Sequence, residues 1–274
     1  MGKAYRAGGR RGTSFVTILP KEAFVTLAGA LRMLVIGLAA VLAGPSLTGP
    51  ATAATTYAAL GDSYSSDVGS GTCGRTAQAY PQLYADKTGA TLSFQACSGA
   101  KTADVLNNQV AALSAATNLV SITIGGNDAG FSDILISCLL GGDSGCRTAT
   151  NNAKTYVANT LPGKLDEVYS AIHSHAPNAK VVVLSYPHIF TLAASCPGQP
   201  SATSRGYANE VADALATTTQ AAAGKAGFTF SDARTTFAGH EICSSVPYLS
   251  GSTFHPNATG HAQGYLPALE SGVG

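Results

Sequence analysis

Four short stretches hold a hydroxyl, a ring nitrogen and several N–H donors, the parts needed for nucleophilic attack with stabilisation of a developing negative charge. "LGDSYSS" (Leu60 to Ser66) ends an apolar run and puts Ser63 at a strand-to-turn junction. There a serine can present its hydroxyl at a sheet edge, with the N–H groups of a following helix terminus close by. Alone, Asp-Ser after a strand is more often a turn or a helix cap. "ACSGAKT" (Ala96 to Thr102) contains Gly99. It is either a plain turn glycine or a backbone N–H that a substrate oxygen approaches because no side chain is in the way. In "ITIGGNDAGF" (Ile122 to Phe131) the amide of Asn127 is a donor suited to an oxyanion, although Asn-Asp is also ordinary turn chemistry. "GSTFHPNATG" (Gly251 to Gly260) carries His255, a candidate base whose ring needs an orienting acceptor. The three residues before it are Ser252, Thr253 and Phe254, with no carboxylate among them.

Apolar runs at 56–60, 91–95, 119–124, 180–186 and 227–232 read as strands separated by helical patterns. Val157, Leu161, Leu165, Val168 and Ile172 share one helical face, which Pro162 should kink or interrupt. Further helices are expected over about 204–223 and from Asn257 to about Leu269. Strands alternating with helices predict a parallel sheet covered on both faces, with the ligand outside the carboxyl ends of the strands. Ser63, Gly99 and Asn127 each follow a predicted strand and so meet that requirement.

Residues 1–53 read as a secretory signal peptide with a long basic n-region. The apolar run "MLVIGLAAVLAG" is short for a membrane span, and Ala51-x-Ala53 is a small-residue cleavage site. The remaining domain, 54–274, carries 10 Lys+Arg and 14 Asp+Glu, a net charge of −4. No basic cluster suggests nucleic acid. All six cysteines lie in this part, and in an exported chain they read as disulfides. Many connectivities are open; nearest-neighbour pairing, Cys73–Cys97, Cys138–Cys146 and Cys196–Cys243, is the simplest. No cysteine pair has C-x-x-C spacing, and no metal site or cofactor is implied.

In order and spacing, GDSY, ACSGA, GGND and FHPN resemble the SGNH branch of the GDSL lipase/esterase superfamily, and in particular its secreted bacterial lipases, esterases and phospholipases A1. The blocks run from Gly61 to Asn257, and "GHEICS" (Gly239 to Ser244) fits the same branch. The resemblance implies a single-domain, flavodoxin-like three-layer α/β/α sandwich with a five-stranded parallel sheet. It implies Ser63 as nucleophile and His255 as general base. It also implies an oxyanion hole from the N–H groups of Ser63 and Gly99 and the amide of Asn127. Where many members carry Asp three residues before the histidine, this chain has Ser252. The expectation is therefore a Ser63–His255 dyad with the main-chain carbonyl of Ser252 or Thr253 as orienter. The rival is an acid from elsewhere, such as Glu241 or Asp232.

Asp62 and Asp128 are expected to fix loops, His188 to be a loop histidine, and His173, His175 and His261 to lie on the surface. Asp67 stands where relatives often have glycine, and nothing in the sequence accounts for it. The implied substrate is an acyl ester of a lipid or phospholipid, met by an extracellular monomer, with contact to a lipid interface. A carbohydrate deacetylase on the same fold is the alternative enzyme. A non-catalytic exported binding protein is the alternative from another class.

Overall fold

A computed structural model describes residues 54–192 and 195–274; the segment 1–53, read above as a signal peptide, lies outside the described residues. The chain opens with strand β1 (Thr56–Gly61), the single turn α1 (Ser63–Ser66), α2 (Tyr80–Thr88) and β2 (Thr91–Phe94). A short α3 (Thr102–Asp104) runs on through a π turn to Gln109 and leads to β3 (Leu119–Thr123). Three helices follow, α4 (Phe131–Leu140), α5 (Gly142–Asn159) and α6 (Leu161–His175), before β4 (Lys180–Leu184). The chain then forms α7 (Ala202–Lys225), β5 (Thr229–Ser231) and α8 (Ala233–Phe237). A π turn over Gly260–Tyr265 leads into the last helix, α9 (Leu266–Val273).

The five strands form one parallel sheet in the order β2-β1-β3-β4-β5. Central β1, β3 and β4 are buried almost throughout, as their mostly apolar sequences, Tyr-Ala-Ala-Leu in β1 and Val-, Ile- and Leu-rich in β3 and β4, require for a sheet covered on both faces. Helices α2 and α9 pack together as one layer and α5, α6 and α7 as the other. This is the three-layer sandwich expected from the alternating pattern.

The stripe Val157, Leu161, Leu165, Val168 and Ile172 is buried, but the helix breaks at Thr160. Pro162 sits in the first turn of α6, where its missing N–H costs nothing. Cysteine pairs Cys73–Cys97, Cys138–Cys146 and Cys196–Cys243 are joined as disulfides, and no free cysteine is left among the described residues.

The strand order locates the site. The chain leaves β1, pairs β2 on one side, then returns to pair β3 on the other. The end of β1 is therefore a switch point, where a crevice opens beyond the carboxyl ends of the strands. Gly61 closes β1 with φ +114°, and a Cβ there would lie 2.3 Å from the carbonyl oxygen of Thr123. Only glycine lets β1 turn this tightly against β3. The turn is held by Gln109, whose side chain accepts from the Gly61 N–H at 2.7 Å and donates to the Gly61 carbonyl at 2.9 Å.

Candidate active site

Ser63 opens the α1 turn directly after β1, capped by the Asp62 carboxylate, which accepts the Tyr64 N–H at 3.0 Å. Ser63 Oγ lies 2.8 Å from His255 Nε2, and His255 Nδ1 lies 2.6 Å from the carbonyl oxygen of Thr253. A carbonyl only accepts, so Nδ1 carries the proton, and Nε2 is left to accept from the Ser63 hydroxyl. Of the two carbonyls expected, that of Thr253 is the one that meets the ring. Ser252 is exposed, and its hydroxyl meets Ser250 Oγ at 3.0 Å, not the ring. The two rival acids are engaged elsewhere. Asp232 caps α8 and binds Arg234 and Ser185, while Glu241 accepts the Gly239 N–H at 3.2 Å.

The ring reaches a carbonyl only two residues back because Phe254 between them is left-handed, at φ +62°. For a bulky side chain this conformation is uncommon and carries strain. It is held at both ends: Phe254 N–H donates to the Ser250 carbonyl at 2.8 Å, and Tyr64 Oη–H donates to the Phe254 carbonyl at 2.6 Å. Tyr64 belongs to the serine turn, so one hydroxyl ties that turn to the histidine loop. Tyr186 makes the matching tie on the other side. Its hydroxyl bonds the Asp62 carboxylate and accepts the Gly126 N–H at 2.9 Å, which joins the serine turn to the Gly126–Asn127 loop. A Cβ on Gly126 would lie 3.0 Å from the Tyr186 ring, so the glycine leaves room for this contact.

Burial pushes the Asp62 carboxyl up to about 7, against hydrogen bonds from Tyr186 and Tyr64. Burial also lowers His255 below the ordinary histidine value, which the Thr253 carbonyl partly offsets. A neutral imidazole over a serine hydroxyl can accept its proton.

The possible oxyanion donors all follow the carboxyl ends of the neighbouring strands β1, β2 and β3. Among the described residues the backbone N–H groups of Ser63 and Gly99 have no acceptor. Asn127 Nδ2 donates one hydrogen to the Ala100 carbonyl at 3.0 Å, which aims the amide and leaves its second hydrogen unassigned. Asp128 accepts from the Thr102 N–H at 3.0 Å and the Thr102 hydroxyl at 2.6 Å, fixing the loop as expected.

Two further polar residues differ from expectation or lacked an account. His261, expected on the surface, is fully buried. It faces inward from the final π turn, where Nδ1 accepts the Tyr80 N–H at 3.3 Å and the ring stacks beside Tyr80. Asp67, at φ +77° and ψ −172°, occupies backbone space that glycine ordinarily fills. Its N–H donates to the Ser63 carbonyl at 2.9 Å, and its carboxylate takes the Thr76 hydroxyl at 2.6 Å. Burial pushes that carboxyl up, but His261 at 3.7 Å, Thr76 and the Val68 N–H hold it down to about 2. His173 and His175 are exposed, and His188 pairs with Asp213 at 2.8 Å.

Residues 59–263 match the GDSL-like Lipase/Acylhydrolase family. The chain belongs to this family. It is an ester hydrolase, which removes the reading as a non-catalytic binding protein. Lipase 1 of Streptomyces coelicolor is 49% identical over 249 residues, 83% of this chain and 92% of that protein. The crystal structure of an extracellular lipase from Streptomyces rimosus is 47% identical, covers 80% of this chain and 100% of its own, and superposes with a TM-score of 0.77. A phospholipase A1 from Streptomyces albidoflavus NA297 gives the same TM-score, 0.77, at 44% identity, covering 80% of this chain and 100% of its own. Within this GDSL-like acylhydrolase, sequence reasoning missed Tyr64, Tyr186 and Gln109. The first two signals were present in "GDSYSS" and "LSYPH", but each partner lies far away in the chain.

Proposed function

We propose that this GDSL-like acylhydrolase is a secreted enzyme that cleaves acyl esters of lipids, with Ser63 as nucleophile and His255 as general base. The observation that carries the reading is the continuous line from Ser63 Oγ to Nε2 at 2.8 Å and from Nδ1 to the Thr253 carbonyl at 2.6 Å. Ser63 Oγ attacks the acyl carbon as its proton passes to Nε2. The carbonyl oxygen, now negative, is met by the N–H groups of Ser63 and Gly99 and the second amide hydrogen of Asn127. Imidazolium then gives its proton to the departing alkoxide, and water repeats the sequence on the acyl-enzyme. The Thr253 carbonyl sets the tautomer and lends partial charge to the imidazolium, less than a carboxylate would.

Lipid substrates are supported by two features beside the serine, together with the lipase and phospholipase A1 names of the similar proteins. An apolar depression of only about 30 Å³, lined by Tyr64, Phe131, Ile134, Tyr186, Val211 and Leu215, offers an acyl chain an apolar wall to lie against and not an enclosing cavity. Helix α4 supplies part of its wall and turns Ile136, Leu139 and Leu140 outward, at 56%, 40% and 84% exposure. Such a face suits a lipid surface. Secretion is supported by the signal-like first 53 residues and the extracellular relative.

The test is direct. A fluorophosphonate probe should label the purified enzyme on Ser63, and Ser63→Ala should abolish both labelling and hydrolysis of p-nitrophenyl butyrate. Hydrolysis that survives in Ser63→Ala would refute the assignment.

A further inference from the structure

The cleft on the far side of Gly99 has a chemistry that acyl transfer does not use. It encloses about 400 Å³, and its walls include Arg75, Ser98, Gly99, Asp104 and Asn108. Gly99, a proposed oxyanion donor, is thus also a wall of this cleft.

Arg75 is exposed yet held. Its Nε donates to the Ala96 carbonyl at 2.8 Å and its Nη2 to the Gln95 carbonyl at 3.2 Å. Its guanidinium carbon lies 5.8 Å from the centroid of the Phe94 ring. The Cys73–Cys97 disulfide and the Ser98 N–H bond to the Cys73 carbonyl, 2.9 Å, clamp this segment to the Gly99 loop.

All these partners are neutral. Among the described residues no carboxylate lies within ion-pair distance of Arg75, whereas Arg234 has both Asp213 and Asp232. Asp104 likewise has no cation partner; its Oδ2 accepts only the Lys101 main-chain N–H, at 2.9 Å. One cleft therefore presents a fixed guanidinium and a carboxylate, neither neutralised by the protein. A guanidinium fork matches phosphate, and a carboxylate matches an ammonium group.

We propose that this cleft is a head-group site for zwitterionic glycerophospholipids, with the phosphate on Arg75 and the ammonium on Asp104. The proposal rests on the reading of Ser63, His255 and Gly99 as the ester-cleaving centre. With an ester carbonyl at the Gly99 N–H, the glycerol backbone carries the phosphate, a few bonds further on, into the adjoining cleft.

The experiment uses monomeric substrates at low ionic strength, because an exposed guanidinium is screened by salt. The quantity read is the ratio of kcat/KM for dihexanoylphosphatidylcholine to that for dihexanoylglycerol. Arg75→Gln should lower this ratio about tenfold to a hundredfold, the worth of one or two charge-assisted hydrogen bonds. Arg75→Lys should fall between, and Asp104→Asn should raise hydrolysis of dihexanoylphosphatidylglycerol relative to the choline lipid. A second arm needs no variant. Glycerophosphocholine should inhibit p-nitrophenyl butyrate hydrolysis by the native enzyme competitively, and more strongly than glycerol or inorganic phosphate. A ratio unmoved in both Arg75 variants, or no inhibition by glycerophosphocholine, overturns the head-group site while leaving ester hydrolysis intact. Inhibition by inorganic phosphate alone makes the cleft a free-phosphate site and overturns it too. Failure of the native enzyme on every ester would instead strike the proposed function.

Discussion

Tyr64→Phe is the sharpest probe of how the histidine is held. The substitution removes one atom, the hydroxyl that donates to the Phe254 carbonyl at 2.6 Å. It keeps the ring that packs edge-on against Phe131, Tyr186 and Tyr265. Phe254 is buried, so its carbonyl loses a partner that water does not readily replace. Leaving such a group unsatisfied costs about 1–3 kcal/mol. For a domain of this size each kcal/mol lowers Tm by about 2–4 °C. The same hydroxyl opposes relaxation of the left-handed Phe254, and that conformation places the Thr253 carbonyl under Nδ1.

Two readouts separate positioning from mere stability. The first is kcat on a soluble short-chain ester, which should fall about tenfold or more, about 1.4 kcal/mol of barrier, with KM little changed. The second is the acid limb of kcat/KM. The Thr253 carbonyl raises the His255 pKa, so loosening it should move that limb to lower pH. A variant with lowered Tm but native kcat and an unmoved acid limb would show that Tyr64 only stabilises the fold, and the reasoning would be wrong.

Further outcomes follow from the same geometry. Ser252→Ala should keep most activity, whereas His255→Ala should lose nearly all of it; Asp232→Asn and Glu241→Gln should each cost less than about tenfold in kcat, and a thousandfold loss in either, with folding intact, would restore a carboxylate to the triad. In the native enzyme the acid limb of kcat/KM should lie below the ordinary histidine value, because burial depresses His255 and only the neutral ring accepts a proton; a limb above pH 7 would contradict this. Asp67 is held at about 2, below its unfolded value of 3.8, so its contribution, on the order of 2 kcal/mol, is present above pH 4 and lost as pH falls toward 2. The Tm gap between the native enzyme and Asp67→Asn should therefore close over that range, and a gap independent of pH would deny the charge any part in stability.

Much of this was legible because the signals are local. The buried strands are short, mostly apolar runs, Ala-rich in β1 and Val-, Ile- and Leu-rich in β3 and β4, and the residues after them must lie at one sheet edge whatever the loops do. Ser63, Gly99, Asn127 and His255 could be named on that ground together with the family blocks. Helix α4 and all but the last turn of α5 were not seen, since α5 is largely polar before Val157. Its stability comes from packing on α4 and α7, which periodicity does not report. His261 was misplaced because a π turn shifts the helical phase, turning inward a residue that regular spacing leaves outside. The two tyrosine ties were invisible for a different reason. Tyr64 meets Phe254 across 190 residues and Tyr186 meets Asp62 across 124, and a phenol looks the same in sequence whether it packs, caps or ties loops together.

The missing carboxylate makes sense beside these ties. A carboxylate behind the ring fixes the tautomer and lowers the energy of the imidazolium; a carbonyl does the first and only part of the second. In the proposed mechanism the remaining barrier must be lowered by geometry. His255 has a carbonyl two residues away and a left-handed residue between. The fold supplies hydrogen bonds at both ends of Phe254 to keep that arrangement from relaxing. The serine turn and the Asn127 loop are tied through Asp62 and Tyr186 in the same way. Groups already fixed where charge will develop need no reorganisation during the reaction, a contribution that is commonly the largest single one in acyl transfer. Burial also keeps the ring unprotonated in mildly acidic surroundings, where a carboxylate partner would hold the proton on it. On this view the chain exchanges some stabilisation of the imidazolium for a base that stays available at lower pH. Installing Asp at Ser252 should reveal that exchange only if Phe254 gives up its left-handed conformation, because a carboxylate three residues back cannot reach Nδ1 while the Thr253 carbonyl occupies it.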